Sequence, residues 1–210
     1  MGNIAEEMEK EEKKLQEQEE KVEKELEEEE NNKSIEDKNK ELEAEYGELG
    51  TTEYDLEAIT EEVTLKSVTD GETVVVEGDN GEETVQLLLI DTPEIVDPSV
   101  DPQEFGSRAR SNLENLLGAT LKLERGNPER NKNGHTLGYI WMKNGSEYVN
   151  FNKLLVQRGF AKVSNLSEPN TKYLDEFIEA ENEAKQEQLK IWSIEGYVTD
   201  DGFDMSVYGR

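Results

Sequence analysis

The sequence predicts an α+β domain: a partly open five-stranded β-barrel of the OB type carrying three helices, behind an acidic N-terminal segment that is helical or disordered. Three observations lead there. Short runs of strand-forming residues, separated by Asp-Gly and Asn-Gly turns, fill residues 61–145. Helical periodicity enters only between and behind those runs, and the composition changes abruptly near Glu61.

Residues 1–50 are almost wholly Glu, Lys, Gln and Asn. Glu6 with Lys10, Glu9 with Lys13 and Glu17 with Lys21 have the spacing at which opposite charges support a solvated helix. Met8, Leu15 and Val22 recur every seven residues, giving one apolar position per heptad where a coiled coil needs two. Such a segment has too little apolar surface to order itself firmly. It reads as a fluctuating helix or a disordered stalk, with a weak coiled coil, and so weak self-association or a protein partner through residues 1–46, as the alternative. Gly47 and Gly50-Thr51-Thr52 open a linker over residues 51–60.

The domain spans residues 61–195. Val63 to Val68 alternates like a strand, Asp70-Gly71 turns, and Thr73 to Val76 begins the next strand. Asp79-Asn80-Gly81 turns again into Thr84 to Ile90, where Leu87-Leu88-Leu89-Ile90 implies a strand buried on both faces. After a Pro-containing loop from Asp91 to Pro102, a helix follows with Ala109, Leu113, Leu116 and Leu117 on one side, stopped by Gly118. Thr120 to Glu124 and Thr136 to Met142 are strands, and a short helix from Asn150 to Arg158 ends at Gly159. The last helix, Thr171 to Lys190, points Leu174, Phe177, Ile178 and Leu189 inward, with Asn170 or Thr171 as cap. Residues 196–210 form a tail bearing Tyr197, Phe203 and Tyr208.

Charge limits the partners. With 23 Lys+Arg against 51 Asp+Glu the formal net charge is -28, a field that repels phosphate backbones and makes nucleic-acid binding weak unless a local basic groove survives. No cysteine is present, so disulfides and thiolate metal sites are excluded. No apolar run is long enough to span a membrane, and none near Met1 resembles an export signal.

At this point the residues resemble a known family. Val68-Thr69-Asp70-Gly71-Glu72-Thr73 and Leu87-Leu88-Leu89-Ile90-Asp91-Thr92-Pro93-Glu94 resemble the two acidic strand-end motifs of the staphylococcal nuclease (thermonuclease) family. Phe105-Gly106 with Ala109, Lys132-Asn133-Gly134-His135-Thr136, Val149-Asn150, Gly159-Phe160-Ala161-Lys162-Val163 and Ile191-Trp192-Ser193 follow in matching order and spacing. The resemblance implies an OB-type barrel that hydrolyses DNA and RNA phosphodiesters with calcium. It implies oxygen ligands for a hard cation, a glutamate that handles the attacking water, and two arginines that grip phosphate oxygens. It also implies an extracellular or cell-envelope site.

Position by position the resemblance carries over unevenly. Asp91 and Thr92 fall on the second metal aspartate and the carbonyl ligand, and Glu94 on the water-handling glutamate. Glu72 falls on the first metal aspartate, one methylene longer. Gln86 and His135 stand where the two arginines are expected, Asn131 replaces an aspartate, and Asn165 and Ser167 stand where aromatic residues cover the nucleotide. Gln86 brings no charge, and a histidine with an ordinary pKa near 6.5 is mostly neutral at neutral pH. Removing one pre-organised donor to a developing charge costs about 3–4 kcal/mol, so the resemblance implies weak or absent catalysis. Arg130 and Lys132, in the same loop as His135, are the candidates for substitute phosphate contacts. Without the family pattern the acidic residues would read as ordinary turn acids, and Tyr139, Trp141 and Trp192 as packing residues. Two further readings stand beside the degraded nuclease: an active calcium-dependent endonuclease, and a non-catalytic interaction module tethered by the acidic segment.

Overall fold

The computed structural model describes residues 55–97, 101–145, 147–164 and 169–207. The acidic segment 1–50, and with it the stalk and coiled-coil readings, lies outside the described residues. Within the linker, Leu56–Ile59 makes a single helical turn (α1) whose Leu56 is buried.

Strands β1 (Glu61–Val68), β2 (Thr73–Gly78) and β3 (Gly81–Leu87) form an antiparallel meander. Strands β5 (Thr120–Arg130) and β6 (Thr136–Asn144) join it through β1, and β3 pairs in parallel with β6 to close the barrel. The hairpin partner β7 (Glu147–Asn150) extends β6. The OB-type α+β architecture is therefore as the turn spacing predicts. The alternation in β1 is broken by a bulge between Leu65 and Ser67, which changes the phase so that Val63, Leu65 and Val68 all face the core.

The run Thr84 to Ile90 is not one strand. It divides into β3 and a short β4 (Ile90–Asp91) because Leu89 adopts a left-handed φ of 64°. Beyond this bend β4 pairs with β8 (Lys162–Val163) instead of β6. All four aliphatic residues are still buried, as their sequence requires. The bend is held by Asn152, whose amide donates to the carbonyls of Leu88 (3.0 Å) and Gly138 (3.1 Å) and accepts from the Ile140 N–H. Asn152 lies on α3 (Phe151–Gln157), capped by Asn150, whose side chain accepts from the Lys153 N–H.

Two helical faces differ from the predicted ones. Helix α2 (Gly106–Glu114) ends early: the Leu116 and Leu117 N–H groups bond three residues back, to Leu113 and Glu114. That tighter winding buries Leu116 but turns Leu117 to solvent, 43% exposed. Helix α4 (Leu174–Gln186) buries Phe177, Ala180 and Ala184, while Ile178 is 42% exposed. Small alanines form this face because α4 lies close against α3. Neither Asn170 nor Thr171 caps it; Asn170 instead accepts a hydrogen bond from the Asn127 N–H.

Candidate active site

The acidic motifs converge at the end of the barrel where β1 turns into β2 and β3 bends into β4. Asp70, Glu72, Asp91, Thr92 and Glu94 line one cavity of about 300 Å³, together with Pro93, Gln103 and Asp201, Gly202 and Phe203 from the C-terminal tail. Gly71 lets the β1–β2 turn approach: a Cβ there would lie 2.6 Å from Thr92 Oγ1 and 2.8 Å from Ala109 Cβ. Gly106, the first residue of α2, is similarly required, because a Cβ would come within 2.4 Å of the Pro93 carbonyl oxygen. The turn and the Thr92–Glu94 loop are thus packed on each other through two glycines and the start of α2.

Hydrogen bonds fix the carboxylates. Asp70 Oδ1 accepts from the Glu72 N–H at 2.9 Å, and Glu72 Oε2 accepts from the Thr92 N–H at 2.9 Å. The Leu87 N–H donates to the Glu72 carbonyl at 2.8 Å, anchoring the turn to β3. Glu94 Oε1 accepts from three successive backbone N–H groups, those of Ile95, Val96 and Asp97. Gln103 clasps the loop from the far side: its Oε1 accepts from the Glu94 N–H, and its own N–H donates to the Glu94 carbonyl.

Crowding of like charges shows in the acid strengths. Burial, followed by repulsion from Asp91, pushes the Glu72 carboxyl up to about 8. Asp91 is also raised by burial, against the opposing pull of Lys162. The Lys162 ammonium stands 3.5 Å from Asp91 Oδ2, with its side chain only 7% exposed.

The residues expected to contact phosphate are placed elsewhere. Gln86 lines a second cavity of about 420 Å³ with Leu87, Leu88, Asn131, Lys132, Asn133 and Leu137. There its Oε1 accepts from Asn131 Nδ2 at 2.7 Å. His135 lines neither cavity; its backbone N–H donates to Asn131 Oδ1. Arg130 lies outside both cavities as well, bonded to the Gly134 carbonyl at 2.8 Å and to Glu83 at 3.4 Å. Arg125 and Thr136 bind the same Glu83, and the Arg125 hydrogen bond holds that carboxyl below its ordinary range. Asn165 and Ser167 lie outside the described residues.

The donor set suits a hard cation in part. Glu72, Asp91 and Thr92 line the cavity with oxygen-bearing groups of the kind calcium prefers. Among the described residues, however, no three carboxylates converge as a ready-made cage. The cavity thus supplies hard oxygen donors from Glu72 and Asp91 without a ready-made cage.

Sequence reasoning missed the tail residues Asp201 and Phe203, the clasp by Gln103 and the role of Asn152. Asn152 had one legible signal, a polar side chain on the apolar helix Phe151-Asn152-Lys153-Leu154-Leu155. Tyr139 and Trp141 are core residues as expected.

Comparison with known proteins agrees with this architecture. The family described as staphylococcal nuclease homologue matches residues 84–194. The SPbeta prophage-derived endonuclease YokF of Bacillus subtilis is 39% identical over 146 residues, covering 68% of this chain and 48% of that protein. Endonuclease YncB of the same organism is 37% identical over 145 residues, 68% of this chain and 66% of its own length. A thermonuclease of Staphylococcus intermedius is 36% identical over 130 residues, 61% of this chain and 74% of that protein. The chain thus spans less than two thirds of the length of the two Bacillus relatives. With its barrel, its acidic strand-end cavity and more than half its length matched, this chain belongs to the staphylococcal nuclease family.

Proposed function

We propose that this chain is a nuclease-family domain that retains a site for calcium but hydrolyses phosphodiesters weakly or not at all. One observation carries the reading: among the described residues, none that lines the acidic cavity is basic. Lys162 stands behind Asp91 and Gln86 pairs with Asn131 in the second cavity. A phosphodiester arriving there meets carboxylates without a guanidinium to hold its oxygens.

The roles of the chain's own groups follow. Glu72, Asp91 and the Thr92 carbonyl would hold the ion, which when bound supplies charge neutralisation at phosphate and acidifies water. Glu94 would take a proton from the attacking water as its oxygen bonds to phosphorus and the ester P–O bond breaks; the leaving alkoxide takes a proton from solvent. The three backbone N–H groups on Oε1 hold Glu94 in place, leaving Oε2 outside those bonds. Gln86 and His135, in the positions the resemblance gives to arginines, bring no fixed charge and line other parts of the surface.

The names of the Bacillus relatives, both endonucleases, favour a second reading, an active calcium-dependent endonuclease in which Lys132 from the loop before β6 or Arg130 from the end of β5 reaches the phosphate. Calcium calorimetry and cleavage of denatured DNA separate the two. The first reading expects calcium binding that Asp91→Asn abolishes, with turnover at least roughly 10³ below that of the S. intermedius thermonuclease domain under the same conditions. Comparable turnover overturns it.

A further inference from the structure

The C-terminal tail is built into the acidic cavity by a set of contacts that the nuclease reaction as proposed does not use. Beyond the family match, which ends at residue 194, strands β9 (Val198–Thr199) and β10 (Gly202–Phe203) form a small hairpin. Tyr197, fully buried at its base, donates its hydroxyl hydrogen bond to the Glu104 carbonyl at 2.7 Å and lies edge-on to Phe105. The Asp204 N–H donates to the Tyr197 carbonyl at 2.7 Å, closing the hairpin. Phe203 packs on Tyr197, with ring centroids 5.5 Å apart. The hairpin's tip then presents Asp201, Gly202 and Phe203 to the same cavity as Glu72 and Asp91.

Lys162 joins the two. An ammonium group has three N–H donors, and here three acceptors surround it: the Thr199 carbonyl at 2.9 Å, the Asp200 carbonyl at 3.2 Å and Asp91 Oδ2 at 3.5 Å. Its nitrogen is also 5.8 Å from the centre of the Phe203 ring. Lys162 pairs with Asp91 across the β4–β8 ladder, so the strand that positions the metal-site aspartate also positions the post for the hairpin. A buried ammonium with its hydrogen bonds satisfied holds its partners in one arrangement, since breaking it would strand a charge.

We propose that the C-terminal hairpin is the substrate-facing wall of the acidic cleft, and that Lys162 is the positioning residue that fastens this wall to Asp91. The wall contributes a carboxylate, a bare glycine backbone and an aromatic ring to whatever occupies the cleft, and so limits what can enter. This inference shares the cation site with the proposed function but does not require turnover.

Two measurements on the full chain test it, with Lys162→Met removing the charge and donors at similar volume, and Phe203→Ala serving as a second variant should Lys162→Met fail to fold. Without any cation, amide hydrogen exchange at Asp204 should rise about tenfold or more in either variant while amides in β6 keep their protection. With calcium added to the natural chain, the amide resonances of Gly202 and Phe203 should shift along the same titration curve as that of Thr92. In the variants the hairpin shifts should disappear while the Thr92 shift persists. Unchanged exchange at Asp204 overturns the fastening, and a Thr92 shift without any at Gly202 and Phe203 overturns the wall. No shift anywhere refutes the calcium reading instead, and the exchange result then decides whether the hairpin is fastened.

Discussion

Replacing Glu72 by Gln in calcium-free protein should make the chain more stable at alkaline pH. A carboxyl whose pKa rises from the ordinary 4.5 to about 8 in the folded chain couples folding to a bound proton. The folded state then binds more protons than the unfolded one between those two values. The stability from this group is full below the lower pKa and is lost as pH rises through the upper one. At 1.36 kcal/mol for each tenfold change in acidity, the whole interval sets a ceiling of about 5 kcal/mol. Glu72 is half-buried on an open cavity, so about 2–3 kcal/mol is expected to survive solvent screening. Glu72→Gln keeps the oxygen that accepts from the Thr92 N–H but never ionises. In chelator-treated protein the two chains should melt together near pH 4.5 and separate by roughly 5–10 °C at pH 9, the variant melting higher. Added calcium should stabilise the natural chain at pH 9 and narrow the gap. Parallel melting curves across that range would refute the claim that burial and Asp91 hold a proton on Glu72.

Three further outcomes are expected. Asn152→Ala removes the side-chain partner of the Leu88 carbonyl and the Ile140 N–H and one of two partners of the Gly138 carbonyl, and should lower stability by about 2–4 kcal/mol in urea unfolding; a loss below about 1 kcal/mol would mean the bend at Leu89 is held by packing. Gly71→Ala forces a methyl against Thr92 and Ala109, and should cost about 1–3 kcal/mol and weaken calcium binding at least several-fold by calorimetry; unchanged binding would show that the turn adjusts freely. The net charge of -28 repels DNA, so at saturating calcium the affinity for denatured DNA should improve as monovalent salt rises from about 10 to 150 mM, because the screening length shrinks. A basic-groove binder would show the opposite slope in the same binding titration.

The barrel was legible because runs of strand-forming residues are separated by turns such as Asp70-Gly71, Asn80-Gly81 and Asn144-Gly145, even though a bulge breaks the alternation of β1. That Glu72, Asp91, Thr92 and Glu94 share one cavity was legible from the resemblance alone; periodicity says only that they follow strands. Four consecutive aliphatic residues satisfy a straight strand and a bent one equally, so the division at Leu89 depended on tertiary pairing with β8 and on Asn152. On α4, Phe177 and Leu174 pack inward as expected, but Ile178 does not and Ala180 and Ala184 take its place, because close helix packing selects alanines over large aliphatics. The tail's aromatic residues Tyr197 and Phe203 pointed to packing on the barrel, but the hairpin itself gave no signal: its strands are two residues each, and Lys162, which bonds the Thr199 carbonyl, lies far back in the sequence. Arg130 looked available in sequence because its attachment to Glu83 runs across the β3–β6 closure of the barrel.

Initial rates of denatured-DNA cleavage at saturating calcium, for the natural chain and for a Gln86→Arg, His135→Arg double substitution, test the central claim most directly. Gln86 precedes Leu87, whose N–H is bonded to the Glu72 carbonyl, while its side chain lines the second cavity, so the double substitution tests whether guanidinium groups from these two positions can serve the acidic site. Weak catalysis for want of guanidinium groups predicts a slow natural chain and a gain of at least roughly tenfold in the double substitution, within the range a pre-organised donor contributes. A natural chain that already cleaves efficiently, and gains nothing from the two arginines, would contradict it.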